Sequence, residues 1–287
     1  MGGIWRGSGW GCGLGDLHRR QRAEFLATQV VRKSAVVVIT ALLLAAFGAC
    51  GDDDAGPAKP TVISGYGDIT TTVQKYRDLL GADNGGEPGA KSTGRREINW
   101  DGVPDELAAP ALLPADFFNA AAAPRARGAN LTTPGAGVQV SAKSGNKASA
   151  AVRFGNINPT YTGVFKAFSE ERLFSPIGSN AVDLTFFVPG STTPAVVRGF
   201  GAVYTDIDQE HTSFEYFDKA GKSLGKFKVP AANNGLSFLG VAFEKPIVAR
   251  VRIEYGSVAL GPDDSSSNDV AVMDDFIYGE PQAISGK

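Results

Sequence analysis

The chain has 287 residues, of which 43% are hydrophobic and 20% are charged, and its formal net charge is −2. This apolar fraction is large enough to fill a core, so the composition excludes general disorder. The nearly balanced charge provides no basic surface of the kind that binds nucleic acid, and we expect no nucleic-acid partner. Two Cys and two His leave few ligands for a zinc site.

The first feature in chain order is an export signal. Arg32 and Lys33 precede a short apolar run, and the small residues Gly48 and Ala49 follow it, directly before Cys50. A basic start, a short apolar segment and small residues at a cleavage point are typical of a secretory signal. The run is shorter than the roughly 20 apolar residues that cross a membrane. Cys50 resembles the lipidated cysteine of a bacterial lipobox, so we predict a membrane-anchored lipoprotein of the bacterial cell envelope, outside the cytoplasm.

Two alternatives to this interpretation remain open. Phe47 stands where a lipobox usually carries Leu, which would also suit cleavage by an ordinary signal peptidase. A buried hydrophobic helix is the other alternative, although the polar tether that follows disfavours it. The Gly-rich stretch before Arg32 fits no export signal and indicates a translation start near Val30 or Val31.

Removal of the signal changes the charge and the cysteine content. Residues 1–49 carry six of the 28 basic and two of the 30 acidic residues, so the mature chain has a net charge of −6. Cys50 is then its one cysteine, which excludes an intramolecular disulfide.

The composition divides the chain into five segments. They are a presequence with its signal peptide (1–49), a polar tether (50–67), a short helix with a Gly-rich linker (68–94), a β-sandwich (95–281) and a tail (282–287). The helix is predicted because apolar residues after Asp68 recur on one face and Gly81 ends the pattern.

From Arg95 onward the pattern has period two, which is typical of strands. Predicted strands lie at 96–102, 138–141, 150–154, 182–189, 195–205, 213–217, 224–230, 236–243, 247–255 and 270–278. Many short strands with almost no helix between them predict an all-β fold, an antiparallel β-sandwich of jelly-roll type with one short N-terminal helix. A parallel α/β sheet is disfavoured because no helices alternate with the strands.

Five segments carry a resemblance to a known group. They read RREINWDG (95–102), RFGNINPTY (153–161), GFGAVYTDID (199–208), LSFLGV (236–241) and VMDDFIYGEP (272–281). The chain resembles, over roughly residues 68–281, a group of uncharacterised bacterial secreted and surface proteins, some with an exosortase-type C-terminal sorting signal. Residues 282–287 do not match such a signal, consistent with anchoring at Cys50. The resemblance implies no known activity.

A looser similarity concerns carbohydrate-binding jelly rolls. The segment 214–229 and the run 273–278 look like the late strands of those modules. The likeness is architectural, and a fold does not determine a function.

Three acidic sets are candidate sites for a structural calcium ion. In the first, Asp206, Asp208 and Glu210 stand two residues apart at a strand end, so an extended strand would point all three carboxylates the same way. Closely spaced carboxylates repel one another unless a hard cation with oxygen ligands lies between them. The acidic loop 263–269 is a weaker candidate, since it does not have the Gly and terminal Glu of an EF-hand loop.

The second set is Asp274 and Asp275 on the last strand of the predicted sandwich. Because the first and last strands of such sandwiches often lie close together, we expect Asn99 and Asp101 to meet Asp275 around one ion. The alternative for all three sets is that they are solvated turns and strand ends, where Asp is common.

Catalysis has little support in the sequence. His211, Glu210 and a serine would make a triad, but no Gly-x-Ser-x-Gly elbow accompanies them. The glycines of Gly199-Phe-Gly-Ala are not in a strand-then-helix context, so they indicate a bulge or close packing rather than a phosphate loop. For a sugar platform, Trp100 and Tyr161 are the candidate aromatic residues, with Tyr161 expected to be the most exposed.

These observations favour a non-catalytic binding or adhesion module outside the cell. A surface glycan is the expected ligand class, an envelope protein is a second possible partner, and the lipid anchor provides the membrane contact. The alternatives are a purely structural envelope module and, with less support, a polysaccharide-active enzyme that uses paired carboxylates.

Overall fold

The computed structural model describes residues 59–265 and 267–284, which form an antiparallel β-sandwich. The all-β prediction is therefore confirmed, while the jelly-roll type stays a prediction. The predicted signal peptide and Cys50 lie outside the described residues. No helix in the part of the chain that is described is long and apolar enough to cross a membrane.

The strands, in chain order, are β1 (Thr61–Tyr66), β2 (Arg95–Ile98), β3 (Ala129–Thr132), β4 (Gly137–Val140), β5 (Phe174–Ile177), β6 (Ala181–Phe186), β7 (Ala195–Val196), β8 (Gly199–Ile207), β9 (Ser213–Phe217), β10 (Ser223–Lys228), β11 (Ala232–Ala242), β12 (Arg250–Glu254), β13 (Val272–Gly279) and β14 (Gln282–Ala283). The helices are α1 (Thr70–Leu80) and the short α2 (Tyr161–Val164). A 3₁₀ turn covers Asp105–Leu107.

The strands form two packed sheets and one small pair. The larger, seven-stranded sheet has the order β1-β11-β8-β13-β5-β4, with β2 also paired to β13. The five-stranded sheet has the order β10-β9-β12-β6-β3, and β14 pairs with β7. The main core lies between the sheets, where alternate residues such as Phe200 and Tyr204 of β8 are buried in one cluster with Val251 and Ile253 of β12.

Helix α1 covers the outer face of the larger sheet. Its Tyr76 is fully buried there, and the hydroxyl donates a hydrogen bond to the Val241 carbonyl at 3.0 Å. The ring lies against Gly201 and Gly240, which face each other across β8 and β11. A Cβ atom on Gly240 would lie 2.6 Å from Tyr76 Cδ2. Both glycines therefore serve close packing, which the pattern Gly199-Phe-Gly-Ala indicated for Gly201.

The predicted Gly-rich linker is held firmly by a buried ion pair. Arg96 and Glu280 are both buried, and the guanidinium donates to both carboxylate oxygens at 2.8 Å. The same guanidinium donates to the carbonyls of Glu87 and Ala126 at 2.7 Å. One side chain thus ties the linker to the end of β13, because a buried guanidinium needs several acceptors.

Two further segments differ from the sequence-based expectation. The predicted tether includes β1, which pairs with β11 over Thr61–Tyr66. Residues 150–154 were expected to form a strand, but Arg153 and Phe154 have positive φ angles of 52° and 63°. Such angles interrupt extended backbone, so this segment forms turns.

Candidate functional site

Four aspartates, from the end of β8 and from the loop before β13, form the main cluster of acidic side chains, called here the acidic pocket. Asp206 is the second-last residue of β8 and has a φ of 63°, and Asp208 directly follows the strand. Asp264 and Asp269 belong to the loop before β13. The positive φ of Asp206 breaks the strand alternation, and its side chain becomes buried, with 2% of the residue exposed. The pocket thus combines part of the first predicted calcium set with the acidic loop 263–269.

Backbone amides hold two of these carboxylates in place. The Asn234 N–H donates to Asp206 Oδ1 at 2.7 Å. Asp269 accepts hydrogen bonds from the amides of Asp208 and Gln209, both at 3.2 Å. These contacts fasten the turn after β8 to the loop before β13.

The electrostatics of the pocket are dominated by burial and by like charge. Burial, with a smaller contribution from the neighbouring Asp208, Asp264 and Asp269, raises the pKa of Asp206 to about 7, although the hydrogen bond from the Asn234 amide lowers it. Burial also raises the pKa of each of those three neighbours. The ion pairs of the described residues include none of the four, so their mutual repulsion favours the protonated forms of these carboxyls.

Two carboxylate oxygens in the pocket have no hydrogen-bond partner. They are Oδ1 of Asp208 and Oδ1 of Asp264, both inaccessible to solvent. Nevertheless, within residues 59–265 and 267–284 no three His, Cys, Asp or Glu side chains are arranged to hold a metal ion.

The loop around Tyr161 closes one side of the pocket. The Tyr161 hydroxyl donates to the Gly261 carbonyl at 2.6 Å, and Asn158 Nδ2 donates to the Pro262 carbonyl at 2.8 Å. Burial raises the Tyr161 pKa, and the nearby Asp264 and Asp206 add to the effect. The expectation that Tyr161 is exposed is wrong, because it is fully buried in a small separate core with Phe165.

Glu210 does not join the other two members of its predicted set. Its side chain is 73% exposed, and a carboxylate oxygen lies 3.2 Å from Lys228 Nζ. The chain turns after β8, so Glu210 no longer shares a face with Asp206.

Asp274 and Asp275 form a buried pair at a β-bulge of β13. The bulge lies between Met273 and Phe276, where the pairing with β8 shifts. Asp274 accepts a hydrogen bond from the Phe168 amide at 2.6 Å, and Asp275 accepts one from Ser169 Oγ at 2.6 Å. Burial raises the pKa of both carboxyls, and each interacts with the other.

The structure gives Asn99 and Asp101 different surroundings from this pair. Asp101 Oδ1 accepts hydrogen bonds from the amides of Glu171 and Arg172 at 3.3 and 3.1 Å. Asn99 is exposed at the rim of a small pocket beside Phe117. Asp101 therefore holds the loop at Glu171 and Arg172 in place through hydrogen bonds to its backbone.

Trp100 is a core residue rather than part of a sugar platform. It is fully buried, its Nε1 donates to the Asp274 carbonyl at 2.8 Å, and its ring stacks on Phe174 with centroids 4.2 Å apart. A buried indole cannot stack on a sugar at the surface.

A polar groove lies on the outer face of the five-stranded sheet. Its volume is about 500 Å³, and it is lined by Glu210, His211, Ser213, Lys226, Lys228 and Glu254. His211 Nε2 lies 3.0 Å from Gln209 Oε1, and Ser213 Oγ donates to Glu254 Oε2 at 3.0 Å. The groove offers both cationic and anionic hydrogen-bonding groups on an accessible surface. Its lining comes from β9, β10, β12 and the turn after β8, and sequence spacing alone did not bring these residues together.

The chain was also compared with known proteins. No family model matches it, and neither a curated protein nor a solved structure is similar to it.

Proposed function

We propose that this protein is an exported, lipid-anchored cell-envelope protein whose β-sandwich is a non-catalytic binding or adhesion module with a surface glycan as ligand. The observation that carries the binding role is the polar groove. Its two lysines and two glutamates are accessible, and hydroxyl-rich ligands are recognised by such hydrogen-bonding groups. The acidic pocket, by contrast, is largely buried.

The two lysines of the groove are placed to donate hydrogen bonds to a ligand. Lys226 pairs with Glu254 and Lys228 with Glu210, so each lysine stays in place while its remaining N–H groups can donate to a ligand. Removal of a charged hydrogen-bond donor typically costs about 1.5–3 kcal/mol, which corresponds to about tenfold or more in affinity.

The test is glycan binding by the full chain, measured on an array of bacterial and host glycans and then by titration. We expect the double variant Lys226→Ala/Lys228→Ala to lose about tenfold or more in affinity. Lys222→Ala is the matched control, because Lys222 is exposed in the adjacent turn but does not line the groove. Equal binding by the double variant, or no glycan retained by the wild type, would contradict the binding role.

The anchor has its own test. Metabolic labelling with a palmitate analogue should mark the wild-type chain and leave Cys50→Ser unlabelled, and the variant should leave the membrane fraction. Described structure begins at residue 59 and β1 at Thr61, so a short tether would hold the sandwich near the membrane. Label on Cys50→Ser would refute lipidation at this residue.

We also propose calcium as a structural ion of the acidic pocket. Support comes from four mutually repelling carboxylates and from two buried oxygens without hydrogen-bond partners. The carboxylates would have to move closer to ligate one ion. Calcium should raise the melting temperature of the wild type relative to chelator and should have a smaller effect on Asp208→Asn. Identical melting in both conditions would exclude the ion.

A purely structural envelope module is the second candidate function. It is favoured by the burial of Trp100, Tyr161, Tyr204, Tyr216, Tyr255 and Tyr278. These rings cannot serve as a sugar platform, so a failed glycan screen would make this candidate the better one.

A further inference from the structure

One side of the sandwich ends in two unpaired edge strands. β3 and β4 end the two sheets on one side and contact each other, so β1 and β10 end them on the opposite side. Among the described residues β1 pairs only with β11, and β10 pairs only with β9. An unpaired edge presents free N–H and C=O groups to any strand that approaches.

The two edges differ in how they are protected. β10 carries Lys226 and Lys228 and has a pairing irregularity between Ser223 and Gly225. Charged side chains and bulges are the usual means of preventing edge-to-edge association. β1 reads TVISGY, has no charged residue, and pairs with β11 in regular register over six consecutive residues. Within the described part of the chain, the second edge of β1 is therefore open to a further strand.

Exposed apolar side chains mark the same strand. Val62 is 45% exposed and Tyr66 is 70% exposed, and only Leu112 of the other large hydrophobic residues in the described ranges is comparably exposed. Val62 and Ser64 lie opposite Val241 and Leu239 of the main core, so they point toward the five-stranded sheet. Within the described residues, β1 packs mainly against β11 and α1, which leaves this face of the strand uncovered.

On the face of β1 that carries Val62, Ser64 and Tyr66, the apolar residues are placed symmetrically about Ser64. When two copies of a strand pair antiparallel about a two-fold axis at one residue, residues at equal distance on either side lie opposite each other on the same face. An axis at Ser64 places Val62 opposite the partner's Tyr66, and Tyr66 opposite the partner's Val62. A β-branched residue facing an aromatic one is a favourable cross-strand pair.

We propose that β1 pairs antiparallel with β1 of a second copy of this chain, with the two-fold axis at Ser64. The pairing continues the larger sheet through both copies and covers the two exposed apolar side chains of each. No charge opposes it, since residues 60–67 are all uncharged.

The length of the tether is also compatible with a second copy of the chain pairing at β1. Antiparallel strands of six residues place the two Thr61 residues roughly 20 Å apart. A ten-residue segment reaches up to roughly 35 Å, so both Cys50 residues can reach one membrane. A contact one strand wide is small compared with a standard interface, and anchoring both copies would raise their effective concentration. Only this enhancement rests on the proposed lipid anchor.

The experiment is oxidative cross-linking of the full chain, expressed with its own export signal. Directly opposite residues of an antiparallel pair have Cα atoms about 4.5–5.5 Å apart, within the range of disulfides. Ser64→Cys should therefore shift the chain to dimer mass on a non-reducing gel. Thr61→Cys is the matched control on the same exposed strand, because its two copies would lie roughly 20 Å apart. The chain without an added cysteine is run on the same gel, so that any dimer formed through its native cysteines is detected.

A second variant tests the register. Val62→Lys, added to Ser64→Cys, places a charge beside the partner's Tyr66 and should abolish the dimer band, with protease resistance confirming that the chain is folded. The pairing is overturned if Ser64→Cys cross-links no more than Thr61→Cys, or if Val62→Lys leaves the band unchanged. Cross-linking is measured separately in the soluble and membrane fractions. If the lipid anchor is wrong, the chain is found in the soluble fraction; if the pairing is wrong, the dimer band of Ser64→Cys is missing from both fractions.

Discussion

Replacement of Asp206 by Asn tests the electrostatics of the acidic pocket. Burial raises the pKa of Asp206 from its ordinary 3.8 to about 7. The folded protein therefore retains a proton on Asp206 at pH values where the unfolded chain has lost it. The contribution of Asp206 to the free energy of unfolding is then largest at or below about pH 4 and decreases as the pH rises to about 7.

The magnitude follows from the difference in proton affinity. Each tenfold change in proton affinity corresponds to about 1.4 kcal/mol, so the full difference is about 4 kcal/mol. Solvent screening and relaxation of the surrounding loops reduce it to about 2 kcal/mol. Asn keeps an oxygen that can accept the Asn234 N–H and tolerates the positive φ at this position. Asp206→Asn should therefore be about 2 kcal/mol more stable than wild type at pH 8, a rise of about 4–8 °C in melting temperature.

The assay is urea and thermal unfolding at pH 4 and pH 8 with chelator present. The difference between Asp206→Asn and wild type should be small at pH 4 and large at pH 8. Glu210→Gln is the control, since it removes the same charge from an exposed side chain outside the pocket. An equal difference at both pH values, or a variant less stable than wild type at pH 8, would refute the reasoning.

Two further predictions concern packing and the buried ion pair. Gly240→Ala should destabilise the fold by about 1–3 kcal/mol in urea unfolding, because its Cβ would lie 2.6 Å from Tyr76 Cδ2. The control Gly102→Ala should show no comparable loss, because its Cβ would have no atom within 4 Å. Arg96→Met should lower the free energy of unfolding by about 3–5 kcal/mol, since Glu280 would stay buried without its cation. A loss below about 1 kcal/mol in the same assay would show that the ion pair is not essential for stability.

Local patterns predicted the strands whose two faces differ. In β12, Val251 and Ile253 are buried while Arg250 and Arg252 are partly exposed, and this alternation is visible in the sequence. The helix was predictable for the same reason, because Val73, Tyr76 and Leu80 recur on its buried face. β1 was missed because an uncharged edge strand next to a polar tether carries no clear alternation of buried and exposed residues.

The candidate site could be predicted only in part. The spacing of Asp206 and Asp208 singled out one half of the acidic pocket. That Asp264 and Asp269 lie beside them depends on loops far apart in sequence, which periodicity does not report. Tyr161 was misjudged because its loop encloses a small core of its own, centred on Phe154 and Phe165, rather than lying open to solvent.

The position of β13 within its sheet bears on the export that we propose. This strand, the last long one in the chain, lies in the middle of the larger sheet and pairs with β2, β5 and β8. A growing chain that stops before Val272 therefore has no central strand, and Arg96 has no Glu280 to neutralise it. Contacts between such distant segments form late. The polypeptide consequently stays without a closed core until almost all of it has been synthesised, and an open chain of this kind would suit the export that we propose.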